Sequence, residues 1–478
     1  MAPSPSTSTA VGSRETREDD RFRVLIAGGG VAALEAVLAL HELAAEHVAV
    51  ELVCPVEKFT LRALSVAEPF SGETSRVLSL PEFCAEQGAS FRRDALAEVW
   101  GTQRRVLTAA GDELPYDALL LAVGARQQAA LPGARLFRGT LDAAWYEDLL
   151  QRLERGSVRR VAFAVPPSVR WSLPLVELTL LTAHRLGADD PERASVTFVT
   201  HERSPLQVFG EETSGHVAGL LIDRGVELIG ERSATRVDGG RILCEGGDDI
   251  DAEEVVTLPS LRVPEIPGIA QGRDGFVACD PEMRVEGTPG VWVAGDASWF
   301  PIKQGGIAAQ QADVAAGWIA AEAGADVLPE PFRPVLRAAL LTGAEPEFLR
   351  HEMGQGDDGV TERATTPLWW PPLKVAGPRL APYLAQRWSD AWETPIDRLE
   401  DLDAEGGRNT DEEHRAAIAL ALDFARIDAE EGSLDDALRW LDVAERLNVT
   451  LPAEYVERRR VWREELETRR RGELDPTR

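Results

Sequence analysis

The apolar run Arg23–Val24–Leu25–Ile26–Ala27 stops at three consecutive glycines, Gly28, Gly29 and Gly30. Helical periodicity begins at Val31 and continues to about Ala45, and a second strand-like run follows at Val48–Val53. A strand that turns through glycine into a helix and then into another strand is the opening of a doubly wound parallel sheet. Within it, Gly28-x-Gly30-x-x-Ala33 has the spacing of a dinucleotide turn. Gly28 permits the tight turn, Gly30 lets the backbone approach a pyrophosphate, and Ala33 is small enough for close helix–sheet packing. The helix N-terminus then faces the phosphates. Glu35 suits that end of the helix dipole. The acid that would hold an adenosine ribose does not end the second strand, which runs into Cys54–Pro55; Glu57 just beyond it, or the backbone, is the expected contact. Cys54 reads as a packed residue near the adenine.

Further strand candidates are Ala118–Val123, Val158–Val165, Val196–Thr200 and Val291–Ala294, with helical stretches at Leu173–Leu186 and Ile307–Ala321. This alternation predicts a mainly parallel α/β architecture. Two of the strands end in small residues where a chain must pass close to a ligand: Ala122–Val123–Gly124 and Ala294–Gly295–Asp296. Asp296 is placed to accept hydrogen bonds from sugar-alcohol hydroxyls, and Gly295 clears space for the chain. Beyond them Lys303–Gln304–Gly305–Gly306 opens the helix through Ala321, whose N-terminus would stabilise negative charge.

Three such motifs in this order resemble the pyridine nucleotide–disulfide oxidoreductase superfamily, and within it sulfide:quinone oxidoreductases and type II NADH dehydrogenases. The resemblance spans roughly Arg23 to Ala321. It implies FAD, with contacts at Gly28, Gly30, Ala33, Gly124, Gly295, Asp296, Gly305 and Gly306, and Lys303 steadying charge on a reduced flavin or quinone. It implies a split FAD-binding domain at 22–126 and 270–330, with a second Rossmann-like domain inserted at 127–269. A segment at 331–400 and a helical hairpin at 411–471 would complete the chain after a disordered tail at 1–21. Ala309–Gln310–Gln311–Ala312 is similar to the quinone-site segment of these families; an ordinary amphipathic helix reads equally well there.

The inserted unit departs from a dehydrogenase. After its first strand the turn is Val165–Pro166–Pro167–Ser168–Val169–Arg170–Trp171, without a glycine. Proline removes backbone donors, and side chains keep a pyrophosphate away. NAD(P)H in the usual mode is therefore not expected. Sulfide:quinone oxidoreductases also lack that glycine turn, but the resemblance puts Trp171 where they carry a redox cysteine. Cys54, Cys84, Cys244 and Cys279 match none of the redox positions, and sulfide oxidation needs a thiolate. Glu177 keeps a helix position like the family's. The expected function is an FAD-dependent oxidoreductase passing electrons from an unidentified donor to a quinone or protein acceptor, with Lys303 and Trp171 at the reacting end. The alternatives are an NAD(P)H dehydrogenase with an atypical nicotinamide site and a degenerate flavoprotein serving as redox sensor or scaffold.

Composition narrows the partners. A net charge of −29 argues against nucleic acid and disfavours anionic lipid. No histidine or cysteine cluster has metal-ligand spacing, so no metal is expected. Met1–Asp20 carries no apolar run, which points to a cytoplasmic protein without a signal peptide. The segment Trp369–Trp370–Pro371–Pro372, leading to Tyr383, fits a peripheral membrane patch, a homodimer interface or a cover for the sheet, and packing carries most weight. The only lysines are Lys58, Lys303 and Lys374, so a lysine beside the flavin motif stands out in an arginine-dominated chain.

Overall fold

The computed structural model describes residues 21–71, 76–187, 194–272, 275–353, 359–388 and 455–463, with isolated positions between 422 and 441. The tail at 1–20 and nearly all of the expected hairpin lie outside the described residues.

The chain opens with β1 (Phe22–Ala27), α1 (Val31–Ala44) and β2 (Val48–Val53), followed by β3 (Ser90–Arg92) and β4 (Ala118–Leu121). A second run comprises β5 (Arg135–Leu136), α2 (Ala143–Glu154), β6 (Arg160–Val165), α3 (Leu173–Leu186), β7 (Ser195–Thr200), β8 (Glu227–Ile229) and β9 (Glu254–Thr257). The chain then returns with β10 (Val291–Val293) and α4 (Gly305–Glu322). It continues through β11 (Val335–Leu340), β12 (Glu347–Glu352), β13 (Val360–Ala364) and α5 (Leu380–Arg387).

Two five-stranded parallel sheets result. The first has the order β10-β4-β1-β2-β3, so its fifth strand comes from the far side of the second sheet in sequence. The second has the order β5-β9-β6-β7-β8. The fold is thus α/β with two Rossmann-like sheets, as the alternation predicts. β4 is Ala118–Leu119–Leu120–Leu121, all buried, the continuous apolar run of a strand covered on both faces. α4 is buried nearly all round because alanines face its neighbours, and these let it approach the equally alanine-rich α1. A Cβ on Gly295 would stand 3.3 Å from Ala32 and 3.4 Å from Ala308, which measures how closely β10's end sits between the two helices.

The three strands β11–β13 form an antiparallel sheet that the sequence reading did not anticipate. Trp369 folds against it: the ring is buried, meets Phe348 edge-on at 5.3 Å, and donates Nε1–H to the Leu373 carbonyl at 3.1 Å. Pro371 and Pro372 are buried too, while Trp370 is half-buried, so most of this segment packs inward. Among the described residues no helix is long and apolar enough to cross a membrane.

Candidate functional site

Strand register brings the sequence motifs to one edge. Ala27 pairs with Val53 on one side and with Leu121 on the other, and Val293 pairs with Leu121. The carboxyl ends of β1, β4 and β10 are therefore level, and Gly28, Gly124 and Gly295 follow them into the crevice where ligands of open α/β sheets bind.

Gly28 has φ +133°, and a Cβ there would lie 2.0 Å from the Ala122 carbonyl oxygen. Its N–H donates to Val53 at 2.9 Å, which locks the turn to the sheet. Gly30 differs in kind: it caps α1, and nothing lies within 4 Å of where its Cβ would be. No side chain caps this helix start, so its first amides are left without a side-chain acceptor. Gly124, at φ +67°, likewise borders open space. Ala33 is fully buried against the sheet. The first turn is thus rigid below and empty above, which fits a pyrophosphate.

Asp296 lies at the end of β10. Burial lifts its carboxyl above the ordinary range, against the charges of Lys303 and Arg62, and no described residue hydrogen-bonds it. Lys303 is pushed down to about 8 by burial, against the pull of Asp296 and Cys279. Its ammonium donates to the Ser298 carbonyl at 2.5 Å and sits 4.1 Å from the centre of the Phe276 ring. Gln304 caps α4, and its Nε2 is buried without a partner, an orphaned donor at the helix start. Gly305 and Gly306 form the first turn, where a Cβ on Gly305 would meet Val375 at 2.8 Å.

The second turn has the opposite character. The Val169 N–H folds back onto the Pro166 carbonyl at 2.9 Å. Trp171 is half-buried and stacks obliquely on Phe209, 5.9 Å between ring centres. Glu202, two residues past β7, stands where a ribose acid would, but its Oε1 accepts the Gln207 N–H at 3.1 Å. Burial raises its carboxyl against that bond.

The two glutamines of α4 bond to backbone. Gln310 bonds Val335 through both ends of its amide, Nε2 to the carbonyl at 2.8 Å and Oε1 from the N–H at 2.9 Å. Gln311 accepts the Gly295 N–H at 2.8 Å. Both side chains are committed to backbone. Glu57 is exposed and only 3.5 Å from Arg93. All four cysteines are free, and burial pushes the thiols of Cys84 and Cys279 up to about 12. At that value the thiols stay protonated near neutral pH, and the thiolate is the nucleophilic form. No metal-binding group of three or more His, Cys, Asp or Glu occurs among the described residues.

Glu35 has a role that its place in the first turns of α1 does not disclose. Fully buried, it accepts the N–H groups of Arg379 at 2.7 Å and Leu380 at 2.9 Å, capping α5 rather than serving only its own helix dipole. Glu177, also buried, takes Lys374 on both oxygens at 2.7 Å and the Leu341 N–H at 3.0 Å. Only the assembled fold brings these partners together.

Residues 176–317 match the family model described as pyridine nucleotide-disulphide oxidoreductase. A NADH dehydrogenase-like protein of Mycobacterium tuberculosis is 26% identical over 290 residues, 57% of this chain and 72% of the relative. Sulfide:quinone oxidoreductase of Aquifex aeolicus superposes with a TM-score of 0.65 at 17% identity, covering 72% of this chain and 87% of that one. A ferredoxin reductase of Rhodopseudomonas palustris does so with a TM-score of 0.53 at 18% identity, covering 69% and 82%. The family model thus covers the stretch 176–317, and over most of the chain the fold is similar to that of these two solved reductases.

Proposed function

We propose that the protein is an FAD-dependent oxidoreductase that takes electrons from a donor other than a nicotinamide and passes them to a quinone or a protein carrier. The observation that carries this reading is the contrast between an open first turn at Gly30 and a second turn closed by its own Val169–Pro166 bond. FAD, when bound, supplies a carrier that accepts a pair of electrons from the donor and releases them to the acceptor.

The chain's own groups fit that carrier. Gly28, Gly30 and the free amides of α1 would hold the pyrophosphate, with Ala33 keeping the helix close to the sheet. Gly124 and Gly295 leave room for the chain, and the Asp296 carboxylate would accept hydrogen bonds from the ribityl hydroxyls. Glu57 or nearby backbone would meet the adenosine ribose. The N-terminus of α4 at Gly305 and Gly306, the orphaned Gln304 donor and the Lys303 ammonium would stabilise negative charge at the flavin's pyrimidine edge. Trp171 would narrow the donor side, where no thiolate is available.

An NAD(P)H dehydrogenase is the second reading, favoured by the mycobacterial NADH dehydrogenase-like relative. Anaerobic titration of the flavin-loaded protein with NADH, NADPH and sulfide separates the two. We expect no bleaching of the flavin band by any of them. Fast bleaching by a nicotinamide overturns the donor assignment, bleaching by sulfide overturns the inert-cysteine reading, and failure to bind FAD overturns the whole.

A further inference from the structure

The two Rossmann units carry the same device. Glu35 is the fifth residue of α1, and Glu177 is the fifth residue of α3. Both are fully buried, and both spend their carboxylates on the same distant stretch of chain, residues 374–380. At one end Glu177 holds the Lys374 ammonium. At the other, Glu35 holds the amides of Arg379 and Leu380, while the Arg379 guanidinium bonds Asp313 of α4 and reaches Glu42 at 2.8 Å. Between these ends the chain crosses the first turns of α4. Val375 lies against Gly305, the Ala376 carbonyl is 3.7 Å from where a Gly306 Cβ would be, and a Cβ on Gly377 would stand 2.4 Å from Glu35 and 2.9 Å from Ala309.

We infer that residues 374–380 are a strap clamped by equivalent buried glutamates of the two units, and that Glu35 and Glu177 are positioning residues that hold it against the start of α4. The effect on electron transfer rests on the proposed flavin site, because that helix start faces the pyrimidine edge only if FAD binds as argued above. The clamp itself does not. An amide in place of either carboxylate weakens one end: Glu35→Gln offers a single acceptor to two N–H donors, and Glu177→Gln leaves Lys374 buried without a counter-charge.

The test uses full-length protein, with and without FAD, and two readouts: hydrogen exchange across 374–388, and the midpoint potential of bound flavin. We expect Glu35→Gln to speed exchange at Arg379 and Leu380 at least tenfold, with the β-sheets unaffected. We expect Glu35→Gln and Glu177→Gln each to shift the midpoint potential at one FAD per chain. If Glu177→Gln does not fold, Glu177→Met with Lys374→Met removes both charges and is read in the same way. Unchanged exchange overturns the clamp. Faster exchange with an unmoved potential overturns the positioning role and leaves ordinary helix capping. Wild-type protein with a protected strap that binds no FAD overturns the flavin reading and the positioning role, and upholds the clamp.

Discussion

The turns after β1 and β6 have the same place in two similar parallel sheets, yet one leaves open space beside it and the other closes on itself. After β1 the backbone bends at Gly28, where only hydrogen fits beneath the Ala122 carbonyl, and Gly30 has open space where a Cβ would stand and no side chain capping α1. After β6 the chain spends its turn on itself, with Pro166 and Pro167 donating nothing and Val169 bonding back to Pro166. Topology alone therefore does not decide what a Rossmann unit binds. The decision rests on a few atoms at the strand end, namely free N–H groups and the room above them.

The comparison is broken most forcibly at Gly28. Gly28→Ala puts a Cβ 2.0 Å from a carbonyl oxygen at φ +133°, and both the backbone and the sheet must shift. We expect a loss of about 4 kcal/mol or outright misfolding, judged by urea denaturation and the yield of flavin-containing protein. A variant of wild-type stability would mean that the first turn is as adaptable as the second.

The next effect concerns the buried glutamates the two units share. Burial lifts the Glu35 carboxyl to about 7, against the Leu380 and Arg379 amides and the Arg379 charge, with Asp313 adding to the rise. Between pH 4.5 and 7 the folded chain keeps a proton that the unfolded chain has released. The stability this group contributes is therefore full below about pH 4.5 and is lost as pH rises through 7, up to on the order of 3 kcal/mol. Urea midpoints at pH 5 and pH 8 should fall more steeply for wild type than for Glu35→Gln. Parallel pH profiles would show that the Arg379 and Leu380 amides hold the carboxylate ionised throughout.

These two residues also mark where the sequence stops being legible. Gly28 could be read because its demand is local: a strand, a turn and a helix within about ten residues declare themselves by periodicity and glycine. The same holds for Pro166–Pro167 and for the strands at Val48–Val53 and Val291–Val293. Glu35 could not, since its partners lie 344 and 345 residues away and no pattern links them. The antiparallel sheet at 335–364 was also missed. Its strands Val335–Leu340 and Glu347–Glu352 alternate poorly, and they become strands by pairing with each other and packing beneath Trp369. Lys303 was found by its motif, whereas Lys374, one of the other two lysines, was passed over because its counter-charge sits in another unit.

Trp171→Ala sharpens the contrast from the second unit. The ring is half-buried on Phe209, so removing it should cost about 1–2 kcal/mol, less than a fully buried tryptophan. It also enlarges the space beside the turn. If space alone excluded a nicotinamide, NADH would now bleach the flavin. We expect stopped-flow traces to stay flat, because Pro166 and Pro167 still offer no amide to a pyrophosphate.

Gly30→Ala should have the smallest effect on stability and still separate scaffold from site. The position lies at φ −95°, which alanine adopts freely, and its Cβ would meet nothing within 4 Å. Folding stability should therefore move by less than about 0.5 kcal/mol. The empty space above Gly30 is the space assigned to the pyrophosphate, so the same methyl group should weaken FAD binding at least tenfold by equilibrium dialysis of apoprotein. Folding that is untouched alongside damaged binding means that the glycine serves the ligand, as Gly28 serves the fold. Unchanged FAD affinity would move the cofactor off this turn and remove the basis for calling the first unit open and the second closed.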